Sequence, residues 1–166
     1  MPEAPYKFCP LCGAALTENI LDQQTRLQCS KDDCDFVHWN NPVPVVAAIV
    51  EFDGKVVLAR NAEWPEKMFG LITGFLEQGE TPEEGIVREV KEELDLESTI
   101  VAFVGTYSAF QSNQLILAYH LTANGSIRLS EELVEYKLIE KHKLKPWPFA
   151  TGMAVKDWLE GQKNKI

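Results

Sequence analysis

Several features that indicate a membrane protein, a secreted protein or a repeat protein are missing from this chain. No run of 18 apolar residues occurs, and the first eight residues contain no apolar stretch of the signal-peptide kind. We therefore expect a soluble, cytoplasmic protein that does not associate with a membrane. Repeats and low-complexity tracts are also absent. A chain of 166 residues with 45% hydrophobic content then has room for one ordinary domain and a small appendage.

Positive charge is scarce. The chain has 16 Lys and Arg against 25 Asp and Glu, for a net charge of −9 and a pI near 4.8. General nucleic-acid binders carry a basic face that meets the phosphates, so this balance argues against a nucleic-acid partner. An anionic substrate would have to arrive with a metal ion.

Cysteine is absent after residue 34. All four cysteines lie within the first 34 residues, and their confinement to one short segment indicates a local structural site: Cys9, Cys12, Cys29 and Cys34. Two such pairs resemble a zinc ribbon, in which four thiolates hold a structural Zn²⁺ and a segment too small for its own core folds around the ion. Disulfides, unlinked thiols, or His38 in place of one cysteine are the alternatives.

The acids, by contrast, are concentrated. Residues 77–97 contain nine acidic and two basic residues, which is most of the chain's net charge. Thr81 is a predicted N-cap, followed by a proline at the first helical position and a glutamate at the third. On this helix Glu89, Glu92 and Glu93 stand at i, i+3 and i+4, so their side chains lie together and repel one another. Mg²⁺ or Mn²⁺ is the simplest agent that would make this cluster favourable.

The same helix has an apolar stripe at helical spacing, formed by Ile86, Val87, Val90 and Leu94. One face is therefore expected to pack while the adjacent face binds metal. Arg88 lies beside the acids and stays charged, so we expect it to neutralise and orient a glutamate. The alternative is a solvated acidic face with a surface ion pair.

These residues resemble the Nudix box, whose pattern is G-x5-E-x7-R-E-U-x-E-E-x-G-U, with U an aliphatic residue. Eight positions fall on the pattern: Gly74, Glu80, Arg88, Glu89, Val90, Glu92, Glu93 and Leu96. Asp95 departs from it, because the family has a glycine there in a left-handed turn. Aspartate tolerates that conformation better than most residues, so we expect a small loss of stability and no effect on the chemistry.

The resemblance implies a Nudix hydrolase, which cleaves the pyrophosphate bond of a nucleoside diphosphate linked to another group. It implies catalytic roles for Glu80, Arg88, Glu89, Glu92 and Glu93. The metal ligands would be the carboxylates of Glu89, Glu92 and Glu93, with the backbone carbonyl of Gly74 completing the shell and Glu80 giving support. A further carboxylate outside the box often serves as base or ligand, and Glu135 is our first candidate, with a plain surface glutamate as the alternative.

The order of predicted elements fits the resemblance. After the Asn-Asn-Pro boundary at residues 40–42, strands are predicted at 43–50, 55–60, 68–73, 99–110, 114–123 and 133–139, and a final helix at 150–160. The predicted fold class is α/β. The resemblance implies a Nudix α/β/α sandwich with a mixed sheet over residues 41–166, preceded by a zinc ribbon over residues 1–40.

The substrate is less well specified. ADP-ribose, NADH and FAD-like compounds stay open, because residues 107–114 lack the Ser-Gln-Pro-Trp-Pro-Phe-Pro signature of the NADH pyrophosphatases. A Pro-Trp-Pro-Phe stretch at 146–149 is expected only to turn the chain into the last helix. Aromatic residues that could stack on a base are Trp64, Tyr107 and, as candidates for substrate contact, Phe69 and Phe110.

Two other functions remain in view. One is hydrolysis of damaged nucleoside triphosphates, and the other is a non-catalytic nucleotide- or RNA-binding module in which the box is vestigial. No box acid is lost, which disfavours the module. The oligomeric state is open, with a homodimer as one option.

Overall fold

The structure, a computed structural model, describes residues 6–163 of the chain. It divides into two compact units, one extending up to Asn41 and the other beginning at Pro42. In the described part of the chain the two α-helices have 13 residues each, and no helix there is long and apolar enough to cross a membrane.

The N-terminal unit is a small antiparallel sheet of three strands in the order β1-β2-β3. Its strands are β1 (Leu16–Leu21), β2 (Gln24–Cys29) and β3 (Val37–His38). Asp22 and Gln23 have φ of 51° and 64°, the left-handed pair that closes a two-residue hairpin. Among the described residues of this unit, only Cys9 and Cys29 are buried. The described part of this unit, residues 6–41, therefore has no apolar core of its own.

The second unit is built on a mixed sheet with two α-helices. Its elements are β4 (Val43–Phe52), β5 (Lys55–Asn61), β6 (Ile72–Phe75), α1 (Pro82–Leu94), β7 (Glu97–Ala109), β8 (Gln114–Asn124), β9 (Leu133–Glu140), a 3₁₀ turn (Lys141–Lys143) and α2 (Thr151–Lys163). The strand order is β7-β8-β4-β5-β9, with β6 also paired to β4. The pair β4–β8 is parallel and the other described pairs are antiparallel.

The central strand β4 explains why the helices lie on opposite faces. Its residues from 45 to 50 are all buried, as expected of a strand covered on both sides. Alternate residues point to opposite faces: Val46, Ala48 and Val50 pack in the cluster that contains α1, whereas Val45, Ala47 and Ile49 pack in the clusters that contain α2. The predicted α/β/α sandwich with a mixed sheet is confirmed.

Helix α1 begins as its sequence predicts. The Thr81 hydroxyl accepts from the backbone N–H of Glu84, and the Glu84 carboxylate accepts from the Thr81 N–H, with Pro82 at the first helical position. This reciprocal capping satisfies two donors that the helix cannot satisfy internally. At the other end Asp95 is left-handed, with φ of 54°, and its backbone N–H donates to the Lys91 carbonyl.

The strand predicted at residues 68–73 differs from the structure, where β6 covers Ile72–Phe75. Apart from a single bridge between Gly70 and Ala59, the preceding residues form a loop. Pairing with β4 decides the position, because the register runs from Phe75 opposite Val45 to Ile72 opposite Ala48. The last helix begins within one residue of the predicted start, whereas β1 and β2 were not predicted.

We predict that Asp95→Ala lowers the free energy of unfolding by about 1 kcal/mol, since alanine bears the cost of the left-handed conformation. Asp95→Gly should be close to neutral: it removes that cost but loses the 2.6 Å ion pair with Lys91, an exposed pair worth little. Urea unfolding of the two variants measures the difference. Equal stability of both would show that the left-handed backbone costs nothing here.

Candidate active site

The site begins where α1 packs on β6. A Cβ atom built on Gly74 would lie 1.8 Å from Cδ of Glu89, so only glycine allows the carboxylate to lie against this strand. Glu89 is 9% exposed, and burial raises the pKa of its carboxyl. The structure thus brings together the predicted backbone ligand and the first predicted acid of the helix.

Arg88 organises the neighbouring acids. Its Nη1 donates to Oε1 of Glu89 at 2.7 Å and to Oε2 of Glu92 at 2.9 Å. Its Nη2 donates to Oε1 of Glu80 at 2.8 Å and to the carbonyl oxygen of Phe75 at 3.1 Å. A guanidinium presents several donors in a fixed fork, so one side chain orients three carboxylates and ties them to the end of β6.

Glu80 is held from two sides. It accepts from Nε and Nη2 of Arg88 and from the backbone N–H of Glu77 at 2.8 Å. The Arg88 hydrogen bonds, with help from the Glu77 N–H, lower the pKa of Glu80 to about 2. Gly85 allows this approach, because a Cβ there would lie 2.8 Å from Glu80 Oε1. Glu80 therefore braces Arg88 and stays charged at neutral pH.

Glu93 has a different environment. Within residues 6–163, no basic side chain forms an ion pair with it, and its neighbours are the carboxylates of Glu89, Glu92 and Glu132. Burial, reinforced by these like charges, raises the pKa of Glu93 to about 8. A carboxylate that is desolvated among other carboxylates fits a bound cation, because a cation relieves both penalties.

Glu132 was not predicted from the sequence. It precedes β9, and its backbone carbonyl accepts from the N–H of Ala62 at 2.9 Å. Its side chain lines a cavity of about 430 Å³ together with Glu89, Glu92 and Glu93. The only sequence signal was a pair of acids just before a strand, a pattern too common to be informative.

Glu135, the predicted candidate for the further carboxylate, lies elsewhere. It is on the edge strand β9, and its Oε2 accepts from Nε of Arg60 at 3.4 Å. It is not among the residues that line the acidic cavity. Strand β9 thus brings Glu132, before its first residue, to the acids of α1, and pairs Glu135 with the neighbouring strand β5.

The four cysteines of the N-terminal unit converge. Their sulfur atoms all lie within 4.8 Å of one another, with 3.7 Å between Cys9 and Cys34 and 3.4 Å between Cys12 and Cys29. These separations are far longer than the roughly 2.05 Å of a disulfide, and all four thiols are free. His38 is not part of the cluster. Four converging sulfur donors could hold a metal ion.

The predicted aromatic residues fall in different places. Phe69 and Trp64 line an apolar cavity of about 380 Å³ that adjoins the acidic one. Phe110 is 89% exposed and lines neither cavity. The Tyr107 hydroxyl donates to Oδ2 of Asp157 on α2 at 3.0 Å. Of the two predicted candidates for substrate contact, Phe69 thus lines a cavity next to the acids and Phe110 does not.

Comparison with known proteins gives a family and several relatives that the chain matches. The NUDIX domain family model matches residues 40–156. An NAD-capped RNA hydrolase NudC from Vibrio atlanticus is 32% identical over 123 residues, covering 74% of this chain and 44% of the relative. One from Pseudomonas putida is 27% identical over 151 residues, covering 90% and 53% respectively. The chain thus spans about half the length of these curated relatives.

Solved structures give the same result for the fold. A NUDIX hydrolase from Nitrosomonas europaea superposes with a TM-score of 0.80 at 25% identity, over 96% of this chain and 93% of that one. An ADP-ribose pyrophosphatase from Streptococcus suis superposes with a TM-score of 0.60, over 74% of this chain and 93% of that one. At 17% identity the latter supports the fold alone.

We predict that Glu93→Gln stabilises the protein when divalent ions are chelated. With a folded-state pKa raised from 4.5 to about 8, the native state binds a proton more tightly than the unfolded chain does. Stability of the unsubstituted protein therefore falls as pH rises from about 4.5 to about 8, and the variant lacks this loss. Thermal unfolding in EDTA should show a gain at pH 9, of about 1 kcal/mol or more, and almost none at pH 4.

Glu97→Gln is the matched control. Glu97 is a glutamate with 75% side-chain exposure that pairs with Lys91 at 3.1 Å, so its loss should change stability little at either pH. If Glu93→Gln and Glu97→Gln change the stability equally at pH 9, the pKa of Glu93 is not raised in the folded protein.

Proposed function

This chain belongs to the NUDIX family, and we propose that it hydrolyses the pyrophosphate bond of a nucleoside diphosphate linked to another group. The observation that carries the proposal is the Glu93 carboxylate, which is desolvated beside Glu89, Glu92 and Glu132 with no cationic partner among the described residues. Such a site is suited to an anionic substrate that binds together with a metal cation.

The residues fit Mg²⁺ or Mn²⁺, since hard divalent cations prefer carboxylate and carbonyl oxygens. Glu89, Glu92 and Glu93 would hold the metal, with the carbonyl of Gly74 as a further ligand. When bound, the ion neutralises the pyrophosphate oxygens and lowers the pKa of a coordinated water. Arg88 keeps two of these carboxylates in place through hydrogen bonds of 2.7 Å and 2.9 Å, and Glu80 in turn keeps Arg88 in place.

Glu132 is our candidate for the proton acceptor. It lines the same cavity as the helix acids but comes from a different element, so it can approach the attacking water from outside the ligand cluster. Its carboxylate oxygen would take the proton as oxygen attacks phosphorus, and the leaving phosphate departs with the bridging oxygen. Glu135, which pairs with Arg60, is the competing candidate from the sequence.

The names of similar proteins narrow the substrate class. The curated relatives are named as NAD-capped RNA hydrolases, and an NAD cap is a dinucleotide joined through a pyrophosphate. We propose ADP-ribose, NADH or a FAD-like dinucleotide as substrate. Because the chain covers about half of the curated relatives, NAD-capped RNA is an additional candidate that needs its own assay.

Product analysis distinguishes this function from the alternatives. Purified protein with Mg²⁺ is incubated with ADP-ribose, NADH, FAD and a nucleoside triphosphate, and the products are separated by chromatography. Two organic monophosphates from a dinucleotide support the proposal. A monophosphate plus inorganic pyrophosphate from the triphosphate would instead identify a nucleoside triphosphate pyrophosphohydrolase. No cleavage of any compound, with binding retained, would identify a non-catalytic module.

We predict that Glu132→Gln lowers kcat on the best of these substrates by about 100-fold or more, the usual contribution of a general base. KM should change little, since the amide keeps the shape of the side chain. Stopped assays at saturating Mg²⁺ measure both constants.

Glu135→Gln is the control for this prediction. It removes only a 3.4 Å ion pair with Arg60 at the surface, so kcat should stay within about twofold. A large loss in Glu135→Gln with near-normal Glu132→Gln would reverse the assignment in favour of the sequence-based candidate.

We further propose that the N-terminal unit binds one structural Zn²⁺ through Cys9, Cys12, Cys29 and Cys34. Support comes from the four converging sulfur atoms and from the absence of an apolar core among the residues described in this unit, so that metal binding supplies its folding free energy. Four sulfur ligands leave no open position for a substrate. Thiols that stay reduced for metal binding suit a cytoplasmic location.

Freshly purified protein should therefore contain one zinc per chain by elemental analysis. Cys12→Ser should lower the zinc content and the melting temperature of the N-terminal unit first, with kcat affected only indirectly. His38→Gln should retain full zinc, because His38 is outside the sulfur cluster. Zinc-free protein, or zinc lost equally in both variants, would contradict the assigned ligands.

A further inference from the structure

The return segment, residues 125–132, joins β8 to β9 and lies against the end of α1. It contains no helix and no strand, yet two of its backbone N–H groups have partners on the helix. The N–H of Arg128 donates to the carbonyl oxygen of Leu94 at 2.9 Å, and the N–H of Ser130 donates to that of Glu93 at 3.1 Å. The last carbonyls of a helix have no partner inside it. The return segment therefore completes the C-terminal end of α1.

Two apolar side chains attach the return segment to the core. Ile127 and Leu129 are partly buried against the apolar cluster that contains α1, whereas Arg128 between them is exposed. This alternation is that of an extended chain, in which successive side chains point to opposite sides. Leu129 stands between the two residues whose N–H groups bind α1, so its packing supports both hydrogen bonds.

Glu132 stands in a turn at the end of the return segment. The carbonyl oxygen of Ser130 accepts from the N–H of Leu133 at 3.3 Å, which closes a four-residue turn with Glu132 at its third position. Leu133 is buried in the same apolar cluster. The carbonyl oxygen of Glu132 accepts from the N–H of Ala62 at 2.9 Å. The backbone of Glu132 is thus held from both sides.

Ser130 connects two acids of the site through the backbone. Its N–H binds the carbonyl oxygen of Glu93, and two residues later the Glu132 side chain lines the same cavity as the Glu93 carboxylate. The two carboxylates repel each other as like charges. Their side chains alone would move apart, so the backbone has to impose the approach.

We infer that the return segment positions Glu132 beside Glu93, and that Leu129 is the positioning residue that holds the segment on the core. The inference rests on the proposed hydrolysis, in which Glu132 is the candidate proton acceptor. Leu129 does not line the acidic cavity, so it acts only through the residues that it holds. A displacement of about 1 Å in a catalytic group can lower a rate by about 100-fold.

The first test measures the position of Glu132 without catalysis. Hydrogen exchange followed by NMR reports on the N–H groups of Arg128 and Ser130, and on that of Ala62, which donates to the Glu132 carbonyl. In Leu129→Ala these amides should exchange at least about tenfold faster than in the unsubstituted protein, because their hydrogen bonds lose the packing that supports them. Unchanged exchange would overturn the inference.

Leu138→Ala is the matched control. Leu138 is another partly buried leucine that packs on the cluster containing α1, but it lies on β9, outside the return segment. Both variants remove the same atoms from the same cluster, so both should lower the melting temperature. Only Leu129→Ala should speed exchange at Ser130. Equal acceleration in the two variants would show a general loss of stability and overturn the role of Leu129.

Kinetics test whether Leu129 acts through Glu132. On any hydrolysed dinucleotide, Leu129→Ala should lower kcat about tenfold or more with little change in KM, because the proton acceptor is misplaced. In a Glu132→Gln background the same change should lower kcat by less than about twofold, since the group that Leu129 positions is gone. Leu129→Met, which nearly keeps the side-chain volume, should restore kcat to near normal. An equal loss in both backgrounds would overturn the inference.

The combined results separate this inference from the proposed function. If no substrate is cleaved but Leu129→Ala speeds exchange at Ser130 and Ala62, hydrolysis is refuted and the positioning of Glu132 stands. If a dinucleotide is cleaved and Leu129→Ala leaves kcat unchanged, the positioning role is refuted alone.

Discussion

Repulsion among carboxylates is the constraint on which the rest of the site depends. Helix α1 carries several acids within two turns. Arg88 offsets part of their repulsion through ion pairs with Glu80, Glu89 and Glu92. That single guanidinium does not reach Glu93, whose pKa burial raises to about 8. The Glu93 carboxylate is left to be balanced by something other than a side chain, and the divalent cation that we propose would meet that need.

The sheet positions the helix acids and brings further residues to them. Strand β4 is buried on both faces, so α1 and α2 each have an apolar surface to pack against. Gly74 at the end of β6 lets Glu89 approach the strand, and the turn before β9 adds Glu132. The three acids of α1 thus stand on a rigid element, as precise positioning of functional groups requires.

Two adjoining cavities of different character lie beside the acids of α1. The acidic one suits the metal-bound pyrophosphate of the proposed substrate, and the other is lined mainly by apolar and aromatic side chains. For the N-terminal unit we propose that four thiols and a bound metal ion take the place of the apolar core that its described strands lack.

Local patterns determined much of this protein. Helix α1 and its cap, the facing acids and the cysteine pairs all depend on neighbours within a few residues, so their sequence spacing is enough. Tertiary structure alone decided the rest. Glu132 joins the acids because β9 pairs with β5, and Trp147 and Phe149 line a cavity where the sequence suggested only a turn. Contacts between distant residues leave no periodic signal, because they arise from the pairing and layering of whole elements.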